Sequence, residues 1–550
     1  MAIYVFSLLV GYAPNGVDYA QGYRANIFSK LSCPVRYIFA ELPGRYDIDY
    51  YKKLGIREED MFSMWHYLLD HPTLRPTVKA RDKLVELMES LQIREVDYQG
   101  SEIRLMKEDL AIATLVLVPG DWEHLLCVHY FDRGKLIRTE MYTDQIACTD
   151  YFATAESERG LYAKRTRRTY YHKDGSVAYE QIFAGERSWY LLQDGKTLTS
   201  VGLIEEFMKK LDLSEQDIIL IDRFAQLDYI QPLFRWKRKA KVIAVMHAGH
   251  YFEAGESAYT VNFNQDYNYL FRYSGMIDNI VVSTQQQKEE LTEKLLEYQC
   301  GVPSIRVIPA GFVEHLRYPD RGRKRYSMVS VSRIQWHKKI HWLIESAIKA
   351  HQVNENISLD IYGSGNFDYI NLMKGMVEKH HAQSYIRFLG HQDVTEVYKN
   401  YEVFLTASTF ETLGLSILEA ISSGTAVIGL DVKYGSRLLI HPGENGYLID
   451  FDPGSSEESE IVDCMTEKMI EIFADSERLE KFQERSYEIA SRFTVWEVED
   501  RWGKFMQEVL EKEKGTSEPL MLGNTFNNFM CSYRKASGNF SHGRWKKRRR

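Results

Sequence analysis

The feature that most constrains the fold is an alternation of short apolar runs with helical patterns, broken once and then resumed. Residues 3 to 10 form an apolar run that leads into a loop with Gly11, Pro14, Asn15 and Gly16. A helical pattern of Val17, Tyr19, Ala20, Tyr23, Ile27 and Phe28 follows, and then a second apolar run from Val35 to Ala40. Strand, glycine loop, helix and strand make a βαβ unit, which implies a parallel sheet with a ligand crevice at its carboxyl edge. From about residue 91 to 198 the period drops to two. Stretches rich in Tyr, Thr, Val and Ile are separated there by turn signals at Asp132-Arg133-Gly134, Lys173-Asp174-Gly175 and Gln193-Asp194-Gly195. That is an antiparallel meander, and its expected job is contact rather than chemistry. The α/β pattern returns at Ile218 to Ile221, Val242 to Met246 and Asn279 to Val282, so the meander reads as an insertion into a first Rossmann-like domain.

A second alternation begins near Tyr326, with strands expected at Ser327 to Val331, Leu359 to Tyr362, Ile386 to Leu389, Val403 to Thr406 and Ala426 to Leu430. Helical patterns from about 459 to 513 are expected to close this second Rossmann-like domain. A chain of 550 residues needs more than one hydrophobic core, which agrees with two such domains.

Composition narrows the function classes. The formal net charge of -8 argues against a whole-protein nucleic-acid binder. The six cysteines, Cys33, Cys127, Cys148, Cys300, Cys464 and Cys531, contain no CxxC pair, so neither a zinc site nor a disulfide framework is expected. The scattered cysteines fit a reducing compartment, and a cytoplasmic chain is expected; the apolar run at the amino terminus lacks a basic flank and a cleavage site, is cut short by Gly11, and reads as a first buried strand. Asp47-Ile48-Asp49 has the form of a DxD metal motif but lies in a polar stretch far from the second domain, and reads as surface. The last 32 residues hold eight Lys or Arg and no acid, the composition of a disordered tail. Its terminal charges, Arg544, Lys546, Lys547, Arg548, Arg549 and Arg550, would give peripheral contact with the inner face of an anionic membrane at about 1 kcal/mol each; a solvated tail is the plainer reading.

The chemistry concentrates in Ser408-Thr409-Phe410-Glu411-Thr412-Leu413-Gly414-Leu415-Ser416-Ile417-Leu418-Glu419-Ala420, directly after an expected strand. A strand feeding a helix start binds anions, because free N–H groups and the helix dipole point the same way. The N–H groups of Leu413, Gly414 and Leu415 would meet a diphosphate, and Gly414 removes the side chain that would block close approach. Read as eight helical residues apart, Glu411 and Glu419 are separated by about 12 Å, whereas retaining glycosidases hold their carboxyls about 5 to 5.5 Å apart. The two glutamates therefore serve different parts of an elongated ligand, unless they merely line a solvated helix face. Arg333 and Lys338 stand at another strand-to-helix junction, where two cations can neutralise a leaving diphosphate. Gly390 and His391 follow a further strand, as backbone partners for a base or as a simple turn.

Together these motifs resemble the GT-4 family of retaining glycosyltransferases. Its EX7E motif matches Glu411 and Glu419, and its phosphate-binding Arg and Lys, five apart, match Arg333 and Lys338. The resemblance runs from 327 to 447, through Tyr362-Gly363-Ser364-Gly365, Glu419-Ala420 with Gly424, and on to Asn445-Gly446-Tyr447-Leu448. Two positions depart from it: Ala426 stands where the family often has proline, and Lys339 where a glycine often follows the lysine. The amino-terminal half, with Gly16-Val17-Asp18-Tyr19-Ala20-Gln21-Gly22-Tyr23-Arg24-Ala25, the meander, and Val245-Met246-His247-Ala248-Gly249-His250-Tyr251, narrows the match. It is similar to the bacterial subgroup containing the GtfA subunit of the accessory-Sec adhesin glycosyltransferase, the Ser-Asp-repeat glycosyltransferases and the teichoic-acid glycosyltransferase.

That resemblance implies a GT-B fold. Residues 1–90 and 199–315 would form the acceptor domain, 91–198 the meander used for assembly, 316–495 the nucleotide-sugar domain, 496–518 a closing helix and 519–550 the basic tail. It implies a UDP-sugar donor, UDP-GlcNAc or UDP-glucose, with no metal or other cofactor. The donor would be bound by Gly16, Arg333, Lys338, Gly390, His391, Glu411, Thr412, Leu413, Gly414, Leu415 and Glu419. The uracil would lie near Gly390 and His391, the ribose on Glu419, and the sugar near Glu411 and His247; Glu411, His247, Arg333 and Lys338 form the catalytic set. The implied acceptor is a serine-rich polypeptide, with a polyol-phosphate cell-wall polymer as the alternative. The implied partner is a glycosyltransferase-like subunit or a second copy joined through the meander. A silent binding subunit would be marked by loss of Arg333, Lys338 or Glu411, and all three are present. A phosphorylase-type enzyme of the same fold would need a pyridoxal-phosphate lysine site, for which no convincing match stands out.

Overall fold

The computed structural model describes residues 2–7, 16–31, 33–39, 48–71, 75–158, 160–185, 187–222, 227–257 and 260–511. Two of its sheets are wholly parallel. The first has seven strands in the order Ser304–Val307, Asn279–Val282, Lys241–Val245, Ile218–Ile221, Ile3–Ser7, Val35–Phe39 and Met61–Ser63. Its central strand Ile218–Ile221 is apolar at every position and its neighbours nearly so, because both faces are covered. Ile219, Ile221, Val242 and Ala244 enter one core, while Ile218, Leu220, Ile243 and Val245 enter another on the opposite face. The chain order reverses between Ile3–Ser7 and Ile218–Ile221, the position where an open sheet leaves a crevice at its carboxyl ends.

The second sheet runs Ile386–Gly390, Ser358–Tyr362, Ser327–Val331, Val403–Thr406, Ala426–Leu430 and Gly446–Ile449. Its switch point lies between Ser327–Val331 and Val403–Thr406, so the loops after these two strands, which hold Arg333, Lys338 and Glu411, border one crevice. Most of the strands expected from the apolar runs form within one residue of the expected bounds. Three short ones, Met61–Ser63, Ser304–Val307 and Gly446–Ile449, were not anticipated. All three are sheet edges of three or four residues, too short to show a period.

Between the first-sheet strands Met61–Ser63 and Ile218–Ile221 lies the antiparallel insertion. Ten strands from Glu95 to Leu198 pair only with their neighbours in sequence. The turn signals do what their residues allow: Arg133 and Gly134 both take positive φ, as do Gly175 and Gly195. Helix Ala80–Ser90 lays Leu84 and Leu87 against Leu105, Leu115 and Val128 of the sheet. Farther along, Tyr170, Tyr179 and Tyr190 surround Trp65 of the first domain, with the Trp65 and Tyr170 rings stacked 5.2 Å apart.

One expectation is corrected. Helix Val495–Glu511, within the pattern read as closing the second domain, crosses back to the first. Val498, Trp502, Phe505, Met506 and Val509 share a core with Ile3, Val5, Phe28 and Val35. Helical periodicity shows a buried stripe but not what it packs on. The basic tail and Asp47 of the DxD sequence lie outside the described residues. Among the described residues no helix is long and apolar enough to cross a membrane.

Candidate active site

Past strand Ser327–Val331 the chain makes a single 3-10 turn, Trp336–Lys338, before helix Ile340–Val353. The loop is pinned from one side by Ile334, which bridges to Gly365. A side chain at Gly365 would put its Cβ 2.2 Å from the Ile334 carbonyl oxygen, so only glycine allows this approach. Lys338 is thereby aimed across the switch point: its Nζ donates to Glu411 Oε1 at 2.6 Å and to Ser408 Oγ at 3.0 Å. Arg333 is exposed, with no ion-pair partner among the described residues. Lys339, at the position where the resembled family often has glycine, takes φ 44° and ψ 42°. A left-handed non-glycine residue costs about 1 kcal/mol. The Lys339 ion pair to Glu458 at 3.1 Å, on a largely exposed carboxylate, returns only a few tenths. Lys339→Gly is therefore expected to raise stability by about 0.5 kcal/mol in denaturant titration; a lowered midpoint would contradict the strain.

The loop after Val403–Thr406 corrects the expected position of Glu411. The helix here is Leu415–Ser422 and contains Glu419 but not Glu411. The Glu411 carbonyl accepts from Tyr434 N at 2.7 Å and Gly435 N at 2.9 Å, which draws its backbone onto the neighbouring loop instead of into a helical turn. The 12 Å helical spacing therefore does not apply, yet the two carboxylates do face different partners. Glu411 holds Lys338; Glu419 accepts from Tyr398 Oη at 2.9 Å, and burial pushes its carboxyl up, partly offset by Tyr398 and Arg317. Gly414 caps the helix with φ 79°, a conformation suited to glycine, and the first-turn N–H groups have no intrahelical acceptor. Thr412, Leu413 and Gly414 are buried and Leu415 half-buried.

The first domain closes the other side. Its helix Gly16–Phe28 starts at the exposed Gly16, whose preceding loop lies outside the described residues. Burial and the Glu419 carboxylate together push the Tyr23 hydroxyl well above its usual range, which places this helix beside Glu419. His247 follows strand Lys241–Val245. Its backbone N–H and that of Ala248 both donate to Tyr267 Oη at 2.8 Å. Two residues on, Gly249 abuts Phe410, whose ring would lie 2.7 Å from a Cβ there. The His247 turn therefore meets the segment that carries Glu411. Gly390 and His391 stand exposed at the end of strand Ile386–Gly390, on the rim of the same carboxyl edge.

Comparison with known proteins gives this cleft its context. Residues 318–489 match the family model for glycosyl transferases group 1, and residues 95–194 that for the GtfA extended beta-sheet domain. The UDP-N-acetylglucosamine--peptide N-acetylglucosaminyltransferase GtfA subunit of Streptococcus gordonii is 32% identical over 514 residues, 92% of this chain and 99% of the relative. This chain belongs to the GtfA-type group 1 glycosyl transferases. The crystal structure of the pneumococcal O-GlcNAc transferase GtfA in complex with UDP and GlcNAc superposes with a TM-score of 0.83 at 31% identity, covering 93% of this chain and 99% of that one. A chain from the crystal structure of a GtfA/B complex gives 0.82 at 30% identity, covering 93% of this chain and 100% of that one.

Within this GtfA-type cleft the structure adds residues that sequence reading missed. Asp222 lies between Arg24, with which it forms an ion pair, and His247, whose Nε2 is 2.7 Å from Asp222 Oδ1. The signal was available, since Asp222 directly follows the apolar strand Ile218–Ile221. Across the cleft, Glu290 pairs with Lys433 at 3.1 Å and accepts from Tyr434 Oη at 3.0 Å, tying the first domain to the loop that holds the Glu411 carbonyl. No periodic pattern in the sequence brings these two segments together.

Proposed function

We propose that the chain transfers N-acetylglucosamine from UDP-GlcNAc to serine or threonine hydroxyls of a serine-rich polypeptide, with retention of configuration. The observation that carries this reading is the convergence of Lys338, Glu411 and the Gly414–Leu415 helix start at one switch point, with the His247 turn packed on Phe410 opposite. In this reading Gly390 and His391 face the uracil, and Glu419 accepts from the ribose. Arg333, Lys338 and the N–H groups of Thr412 to Leu415 hold the diphosphate, and Gly16 borders it from the first domain. Glu411 and His247 face the sugar. The acceptor oxygen attacks C1 on the face from which the diphosphate leaves. The C1–phosphate oxygen bond breaks as the new C1–O bond forms, and the acceptor proton passes to the departing phosphate oxygen. The two cations and the helix dipole stabilise charge developing on that leaving group.

A partner subunit is supported by the GtfA/B complex, a chain of which superposes on this one. A cytoplasmic setting is consistent with the described cysteines, all of which are free thiols.

The test is UDP release from a panel of UDP-sugars, with EDTA present and a serine-rich polypeptide as acceptor, with and without a GtfB-type partner. Selective use of UDP-GlcNAc and glycosylated polypeptide are expected. Transfer only to a polyol phosphate, or turnover only with added metal, would overturn the acceptor or the metal-free mechanism respectively; no turnover of any donor would overturn the enzyme reading.

A further inference from the structure

Asp222 has no exposed side-chain surface, and His247, its neighbour, is only 5% exposed at the side chain. Burial works against the Asp222 charge, yet Arg24 and His247 outweigh it and hold the carboxyl below its usual range. Arg24 is buried as well. Its guanidinium lies over the rings of Phe28 and Trp502, so the cation that anchors Asp222 is itself held by the helix that returns from the second domain. The other titratable side chains around the pair, among the described residues, are the buried phenols of Tyr37, Tyr267 and Tyr269, of which Tyr267 fixes the His247 backbone.

We propose that Asp222, anchored by Arg24, is a positioning residue for the transfer reaction, holding His247 in one orientation and one tautomer. An ionised carboxylate only accepts hydrogen bonds, so the 2.7 Å contact puts a proton on Nε2. In the neutral ring Nδ1 is then an acceptor, and it is the nitrogen left to meet a donor-sugar hydroxyl. Without Asp222 the ring is free to rotate about its χ2 axis or to move its proton to Nδ1, and either change withdraws the acceptor. This inference rests on the reading that His247 faces the sugar. It deepens that reading by naming the pair that would orient a nearly buried histidine.

The experiment combines kinetics with ¹⁵N spectroscopy of the histidine rings in the full-length chain, using His247→Gln to assign the His247 signals. In wild type, at a pH where the ring is neutral, the protonated nitrogen is expected to be Nε2. Asp222→Asn is expected to lower kcat by about 10-fold to 100-fold with the KM for UDP-GlcNAc changed less than about threefold, and to abolish the single-tautomer signature. Should Asp222→Asn fail to fold because it strands the Arg24 charge, the double variant Asp222→Asn/Arg24→Met removes both charges and is expected to show the same kcat loss. Wild-type kcat in either variant, or a wild-type His247 protonated on Nδ1, overturns the proposal. Absence of turnover in wild type overturns the transfer reading instead, while the wild-type ring spectrum still reports on the Asp222 contact.

Discussion

Lys338→Ala is expected to lower kcat for sugar transfer by about 10²-fold to 10³-fold, the largest catalytic effect among single substitutions in the cleft. The magnitude follows from two losses. A donor aimed at charge that develops only in the transition state contributes about 2.7 to 4 kcal/mol, and Lys338 is one of two side-chain cations at the switch point that can meet a departing diphosphate. The substitution also removes the partner of Glu411. Both groups are mostly shielded, 17% and 12% exposed at the side chain, so the 2.6 Å contact is not the well-solvated kind that contributes little. In the proposed reading, diphosphate binding draws Lys338 Nζ toward the phosphate while Glu411 is still close, so the pair would couple donor arrival to the position of the Glu411 carboxylate. Lys338→Arg keeps the charge but not the compact ammonium that fits between Ser408 Oγ and Glu411 Oε1, and should recover only part of the loss. Steady-state rates with saturating UDP-GlcNAc decide it: activity of Lys338→Ala within about threefold of wild type would remove the leaving-group role.

What the sequence made legible is what depends on local periodicity and on chemistry close in the chain. Strand Ile218–Ile221 is visible because all four residues are apolar, and it is buried on both faces for that reason. The hairpin turn at Arg133-Gly134 is visible because its conformation selects its residues. Arg333, Lys338 and Glu411 stand out because each follows a strand end at the same sheet edge. Glu411 itself was misplaced into a helix: its carbonyl hydrogen-bonds to Tyr434 and Gly435, more than twenty residues away, and propensity carries no information about that contact. The same limit hid Asp222, whose role depends on Arg24, and Glu290, whose role depends on Lys433. It also misassigned helix Val495–Glu511, whose apolar stripe fits either domain until the fold places Trp502 5.3 Å from Phe28. Lys339 is the converse case, a departure from a resembled motif whose strained φ shows why glycine suits the position.

The largest expected effect on stability lies far from the cleft, at Trp65. Its ring is 6% exposed and lies nearly parallel to Tyr170, at an interplanar angle of 8°, with Tyr179 and Tyr190 at 6.3 and 5.7 Å. Trp65 belongs to the first domain and the three tyrosines to the meander, so this cluster fixes the insertion to the domain it interrupts. Truncation to alanine leaves a cavity bounded by three large rings, each held in its own strand, and such a site cannot collapse to fill it. Trp65→Ala is expected to cost about 3 to 5 kcal/mol, whereas Trp65→Phe keeps an aromatic face against Tyr170 and should cost less than half as much. Because the loss falls on the junction, the meander should loosen before the nucleotide-sugar domain does. Hydrogen exchange should rise first in strands Gly160–Tyr171 and Val177–Ala184, while exchange in Val403–Thr406 stays slow. A uniform rise across both regions would mean that the meander and the two parallel sheets unfold as one cooperative unit, and that the aromatic cluster is not a separable joint.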